Sequence, residues 1–180
     1  LNVREPGERG IASSTSEFRF KQLGPEIREA QLVSWKKTPG TSMVVTVDVG
    51  DAEDIPPKQK EPVGARLALA ARAMAYGERI IYSGPVFRTH KVEGDRVVLS
   101  FDHVGSGLIA KDGPLRGFTI AGADKNFRPA TSKIQGETVV VSSPEVSAPV
   151  AVRYGWANVP DVNLFNREGL PASPFRTNVP

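Results

Sequence analysis

From Val86 to Ala157, turn signals break the chain at intervals of about ten residues, too short for ordinary helices between them. VFRTHKVEGDRVVLSFD (Val86–Asp102) reads as two strand-like runs around Glu93-Gly94-Asp95, a hairpin signal. GFTIAGA (Gly117–Ala123), ATSKIQGETVVVSS (Ala130–Ser143) and PVAVRYGWA (Pro149–Ala157) continue in the same style. Many short strands at this spacing predict an antiparallel β-sandwich. The Pro- and Asn-rich tail, Asn158 to Pro180, carries Val162, Leu164, Phe165, Leu170 and Phe175. It is expected to pack across a surface of that sandwich.

The earlier part of the chain follows another grammar. Leu1 to Leu23 shows little periodicity and reads as an irregular arm, with FRF at Phe18–Phe20 as a short edge strand. PEIREAQLVSWKK (Pro25–Lys37) has Pro at the first helical position, acids early and lysines late, and Pro39-Gly40 to stop it. MVVTVDV (Met43–Val49) is a near-continuous β-branched run that predicts a strand buried on both faces, as in a parallel sheet. A second helix is expected from about Pro62 to Tyr76. Its apolar stripe is Val63, Leu67, Ala70 and Met74, and Gly77 is its C-terminal stop. The fold class expected is therefore α/β plus all-β. Residues 1–23 form an arm, 24–80 a fragment of an α/β layer, and 81–180 a β-sandwich with its packed tail.

Composition narrows the function classes. The net charge is +3, with 23 basic and 20 acidic residues interspersed, which lacks the clustered basic footprint of a nucleic-acid binder. No apolar run approaches the roughly 18 residues of a membrane span, and the charged, turn-rich N-terminus does not read as a signal peptide. Zero cysteines remove thiolate nucleophiles and Cys-ligated zinc, and two histidines argue against a His-rich metal site. No cofactor is implied.

Between the expected strand and the second helix lies an acidic loop containing Asp51, Glu53 and Asp54. Read alone, these acids form a solvated turn that also favours the following helix N-terminus. The blocks around them carry more. MVVTVDVGDAEDIPPKQKEPVGARLALAARAMAYGE, YSGPVF, FDHVGSGL, GFTIAGADKNF, SSPEVSAPVAVRYGWAN and NLFNREGLPASPFRT occur in this order. Together they resemble the C-terminal half of the sialate O-acetylesterases, in the SGNH hydrolase group, from about Glu26 onward.

The resemblance implies a flavodoxin-like α/β catalytic layer followed by a β-sandwich, and removal of acetyl esters from sugars. It also implies a serine nucleophile in an upstream GQSN-like motif, and a late loop in which an acidic turn precedes Ile-His-Pro. Here no GQSN-like motif occurs, and the late loop reads Ile55-Pro56-Pro57, with Pro56 at the histidine position. On this reading Asp54, Asp51 and Glu53 are candidates for the remnant acid.

Those departures matter chemically. A serine hydroxyl needs a neighbouring base, and imidazole serves because it titrates near neutrality. The acid orients that imidazole and stabilises its charged form. Proline offers no proton acceptor and no amide N–H. Loss of a triad base lowers turnover by about four to six orders of magnitude.

Other candidates have simpler readings. His103, beside Asp102 and three residues before Ser106, suggests a triad only weakly, because adjacent strand residues point to opposite faces. His90 reads as a surface strand residue. Ser42 precedes the apolar run and lacks the strand–turn–helix of a nucleophile elbow. Trp35, Trp156, Tyr154 and Phe165 could stack on sugar, or simply pack.

The function expected is that of the C-terminal portion of a carbohydrate esterase, inactive by itself. The alternative is a non-catalytic β-sandwich module that binds carbohydrate or a partner subunit. Expected partners are an acetylated carbohydrate, as in the parent family, and either a second copy or the missing half of the hydrolase layer. Neither nucleic acid nor membrane is expected. The parent family is periplasmic or secreted, and the compartment stays open.

Overall fold

The computed structural model describes residues 14–50 and 59–178. Two helices, α1 (Ser14–Lys37) and α2 (Lys60–Met74), precede ten short strands. A hairpin of β1 (Val86–Glu93) and β2 (Arg96–Asp102) turns through Gly94, whose φ is +64°. A second, β6 (Thr131–Gln135) and β7 (Thr138–Ser142), turns at Gly136. They join as one antiparallel sheet in the order β1-β2-β7-β6. A second antiparallel sheet runs β10-β8-β4-β5, from β4 (Phe118–Ala121), β5 (Arg128–Pro129), β8 (Ala151–Tyr154) and β10 (Phe175–Arg176). β3 (Leu108–Ala110) pairs with β9 (Leu164–Asn166).

Period-two alternation builds the core. Val97, Leu99 and Phe101 of β2 alternate inward, and Val139 and Val141 of β7 meet them in register, Leu99 opposite Val139 and Val97 opposite Val141. The other sheet adds Phe118, Ile120, Val152 and Tyr154 to the same buried cluster. The tail does more than cover it. Leu164 and Phe175 lie inside that cluster, and Phe175 stacks on Phe87 at a centroid distance of 4.5 Å. Buried Asn166 fixes the tail by donating from Nδ2 to the Ser83 carbonyl (3.1 Å) and accepting from the Leu170 N–H (2.9 Å). Both partners are main-chain groups that would otherwise be buried unpaired.

The N-terminal part departs from expectation in three ways. Met43–Val49 is not a strand: Met43 to Thr46 has no regular structure, and a turn at Val47-Asp48 brings the Val49 N–H to the Thr46 carbonyl (3.2 Å). A strand exists only as a hydrogen-bonded ladder, and among the described residues nothing pairs with this run. No flavodoxin-like parallel layer is present among the described residues.

The first helix begins at Ser14, not Pro25, so Phe18–Phe20 lies on helical backbone and Pro25 sits inside the helix. The stripe that α2 buries is centred on Arg66 and Ala70; Leu67 and Met74, expected inward, are 54% and 43% exposed. The stop is as expected: Gly77 takes φ +71°, and the Glu78 N–H returns to the Arg72 carbonyl at 3.1 Å.

Polar side chains fasten α1 to the strands. Glu29 accepts two bonds from Arg176, both 2.8 Å. Lys36 Nζ donates to the Phe87 carbonyl (3.1 Å), and Arg28 donates to the Asn158 carbonyl (3.2 Å) and the Ala157 carbonyl.

Candidate functional site

Asp51, Glu53, Asp54 and Pro56 lie outside the described residues, so the site is defined by what frames them. On one side the chain reaches Gly50 from the turn at Val47-Asp48; on the other, α2 starts at Lys60 after Gln59, which makes no side-chain cap. Arg66 locks the two sides together. Its Nη1 donates to Asp48 Oδ1 (2.7 Å) and to the Val45 carbonyl (2.7 Å), and its Nη2 to Asp48 Oδ2 (2.6 Å). The side chains are only 9% and 14% exposed. Asp48, the first acid before the loop, is thus a structural anchor whose two oxygens are already engaged. Sequence gave no sign of this, because a carboxylate's partner comes from another helix turn far along the chain.

An open cleft of about 160 Å³ runs from the start of the loop to the strands, lined by Arg28, Val47, Gly50 and Asn158 among others. Its walls are cationic and apolar, and none of the described side chains in it is a nucleophile or a general base.

The remaining candidates do not assemble a triad. Ser106 Oγ and its backbone N–H (2.9 Å) both bond Glu168, not His103. That bonding holds the Glu168 carboxyl below the usual carboxylate range. Asp102 faces Arg88 at 3.5 Å. His103, in a left-handed turn at φ +57°, lies between the rings of Trp35 (6.2 Å) and Tyr82 (6.1 Å). His90 is exposed on β1 beside Phe87, and Ser42 is exposed ahead of the irregular run. Among the described residues, no group of three His, Asp or Glu side chains could hold a metal.

The four aromatics of the suggested stacking platform divide. Tyr154 and Phe165 are core residues; burial pushes the Tyr154 phenol well up, and its oxygen accepts from the Leu164 N–H at 2.9 Å. Trp35 and Trp156 are half-buried and flank different groups. Trp35 donates from Nε1 to the Thr41 carbonyl (3.1 Å), whereas Trp156 lies beneath the guanidiniums of Arg153 (5.4 Å) and Arg176 (5.1 Å).

Sequence reasoning passed over Arg28, Arg66 and Arg153. Only the alternation of β8 pointed to one of them, since Arg153 falls between inward Val152 and Tyr154.

No protein-family model matches the chain. It is 28% identical over 171 residues to the human sialate O-acetylesterase, covering 84% of this chain and 32% of that protein. It is also 39% identical over 86 residues to the mouse enzyme, covering 42% and 15% respectively. The chain therefore spans about a third of the length of the curated relatives it matches most fully. Among solved structures, a carbohydrate acetylesterase from Xanthomonas citri superposes with a TM-score of 0.82 at 50% identity, over 86% of this chain and 36% of that one. Ordered sequence blocks and fold agree: the chain is homologous to the sialate O-acetylesterases over a C-terminal portion of those proteins.

Proposed function

We propose that this chain is the C-terminal portion of a carbohydrate esterase that hydrolyses O-acetyl esters on sugars, and that the portion is inactive alone. The observation that carries the reading is the 50% identity to the Xanthomonas citri carbohydrate acetylesterase over 86% of this chain. Residues 24–80 contribute the last segment of the catalytic layer, and residues 81–180 form the sandwich on which it rests. Asp51, Glu53 and Asp54 are the remnant of the acid loop, with Pro56 where the base belongs.

The inactivity follows from chemistry. Ester hydrolysis by this route requires a hydroxyl whose proton is taken as it attacks. Ser42 and Ser106 are the serines considered for that role, and neither has an imidazole within bonding reach. The experiment is turnover of p-nitrophenyl acetate by the 180-residue chain, alone and with the upstream half of a homologous acetylesterase added. The chain alone is expected to match buffer. Turnover abolished by a serine-directed fluorophosphonate would refute the inactivity.

A specific observation favours an assembly role alongside this. Leu67 and Met74 of α2 and Ile27 of α1 are exposed, and Met43–Thr46 keeps its β-branched sequence without a strand partner. This is the profile of a surface that another layer covers. The partner proposed is the upstream half of the hydrolase, which would supply the neighbouring strand.

A further inference from the structure

The seam between α1 and the β10-β8-β4-β5 sheet gathers more positive charge than it neutralises. The register sets Arg176 directly opposite Arg153. Like charges in that position repel unless something compensates them. Arg176 is compensated by its two bonds to Glu29. Arg28 terminates on two main-chain carbonyls, which carry no full charge.

Arg153 has neither arrangement. Its guanidinium lies 3.7 Å over the Phe127 ring and 5.4 Å from Trp156. Its Nε is buried without a hydrogen-bond partner, and among the described residues no ion pair or hydrogen bond reaches its terminal nitrogens. Glu26 and Glu29 are the carboxylates whose fields reach it, against three guanidiniums in the seam. The cleft that leads to Gly50 starts at Arg28 in this seam.

A flexible, solvated arginine would need no explanation. This one is held by an aromatic ring, so its orientation is set before any ligand arrives. A guanidinium fixed in that way presents a planar fork of donors that matches a carboxylate with two parallel bonds. An aromatic face beside it accepts the apolar face of a sugar ring.

We propose that Arg153, clamped on Phe127 and beside Trp156, is a binding contact for a ligand carboxylate, so that this seam selects an acidic sugar over a neutral one. The proposal rests on the carbohydrate reading above and adds the substrate class to it.

The chain contains two tryptophans, so its amide correlation spectrum holds two indole N–H signals, assignable with Trp35→Phe. Sodium glucuronate, neutral methyl glucoside and sodium acetate are titrated in turn to millimolar concentrations. Glucuronate is expected to move the Trp156 signal saturably, and the other two not. Arg153→Gln is expected to weaken glucuronate by about tenfold or more, as loss of a charge-assisted pair does. Arg153→Lys, which keeps the charge without the planar fork, should fall between, and it serves if Arg153→Gln does not fold.

The proposal is overturned by a still Trp156 signal, by equal response to methyl glucoside, or by unchanged affinity in the variants. Acetate binding as tightly as glucuronate reduces the site to an adventitious anion and also overturns it. Movement of the Trp35 signal alone would place the sugar among Trp35, Tyr82 and His103 instead. None of these readouts depends on ester turnover, so failure here leaves the esterase reading standing, and the reverse.

Discussion

Arg66 holds Asp48 with both ends of its guanidinium, at 2.7 and 2.6 Å, in a setting that admits almost no solvent. The pair joins α2 to the stretch that feeds the acidic loop, and a third bond from the same arginine reaches the Val45 carbonyl. Removing one partner leaves the other charge buried and alone, which costs far more than losing an exposed pair.

Asp48→Asn is accordingly expected to lower the unfolding free energy by about 3 kcal/mol. Urea denaturation followed by tryptophan fluorescence measures it. A loss below about 0.5 kcal/mol, the size of an exposed pair, would mean that the clamp does not hold the helix.

Gly84 meets the chain's return path at close range. A Cβ built there would lie 2.1 Å from the Pro171 carbonyl oxygen and 2.8 Å from that of Leu170. Both atoms are backbone, and the next residues are tied across by the Ser173 N–H to the Pro85 carbonyl (3.0 Å). Gly84→Ala should therefore destabilise the fold by about 2 kcal/mol or more, through forced separation of two buried segments. Gly136→Ala is the comparison, because open space surrounds that position and only its φ of +62° opposes the substitution. A thermal melt in which Gly84→Ala loses no more than Gly136→Ala would contradict the account.

Tyr154 makes stability depend on alkaline pH. Its phenol is raised by burial, while the unfolded chain's tyrosine ionises at about 10. Above that value the unfolded state sheds a proton that the folded state keeps, so unfolding becomes easier. The contribution is fully present below the unfolded value and is lost as pH rises beyond it. The urea midpoint is expected to fall between pH 9 and about 11, and Tyr154→Phe should flatten that fall. The same variant loses the acceptor for the Leu164 N–H, so it should be less stable at neutral pH. An unchanged slope in Tyr154→Phe would assign the alkaline loss to other groups.

Much of the strand half was legible because its rules are local. Alternation along β2 and β7 marks Val97, Leu99, Val139 and Val141 as inward, and Gly94 and Gly136 mark the turns. The tail was legible only as apolar. That Phe175 stacks on Phe87 and Leu164 sits in the central cluster depends on contacts across most of the domain, which no short window contains.

Met43–Val49 misled for a physical reason. β-Branched residues favour a ladder, but a ladder takes two strands, and the run has no companion among the described residues. The α2 face misled similarly: a stripe of Leu67 and Met74 fits helical periodicity, yet Arg66 takes the buried place because Asp48 pairs with it. As for the candidate site, its acids were visible as residue types, while the cationic seam opposite was not. Arg28, Arg153 and Arg176 come from distant stretches and meet only after α1 docks on the sheet.

The place of Phe175 bears on how a ribosome can make this protein. Its ring fills the space beside Phe87, Phe101 and Phe118, so hairpins completed early in translation wait with their hydrophobic sides open. Closure comes only after residue 175 clears the exit tunnel, and until then the nascent polypeptide is a natural client for chaperones.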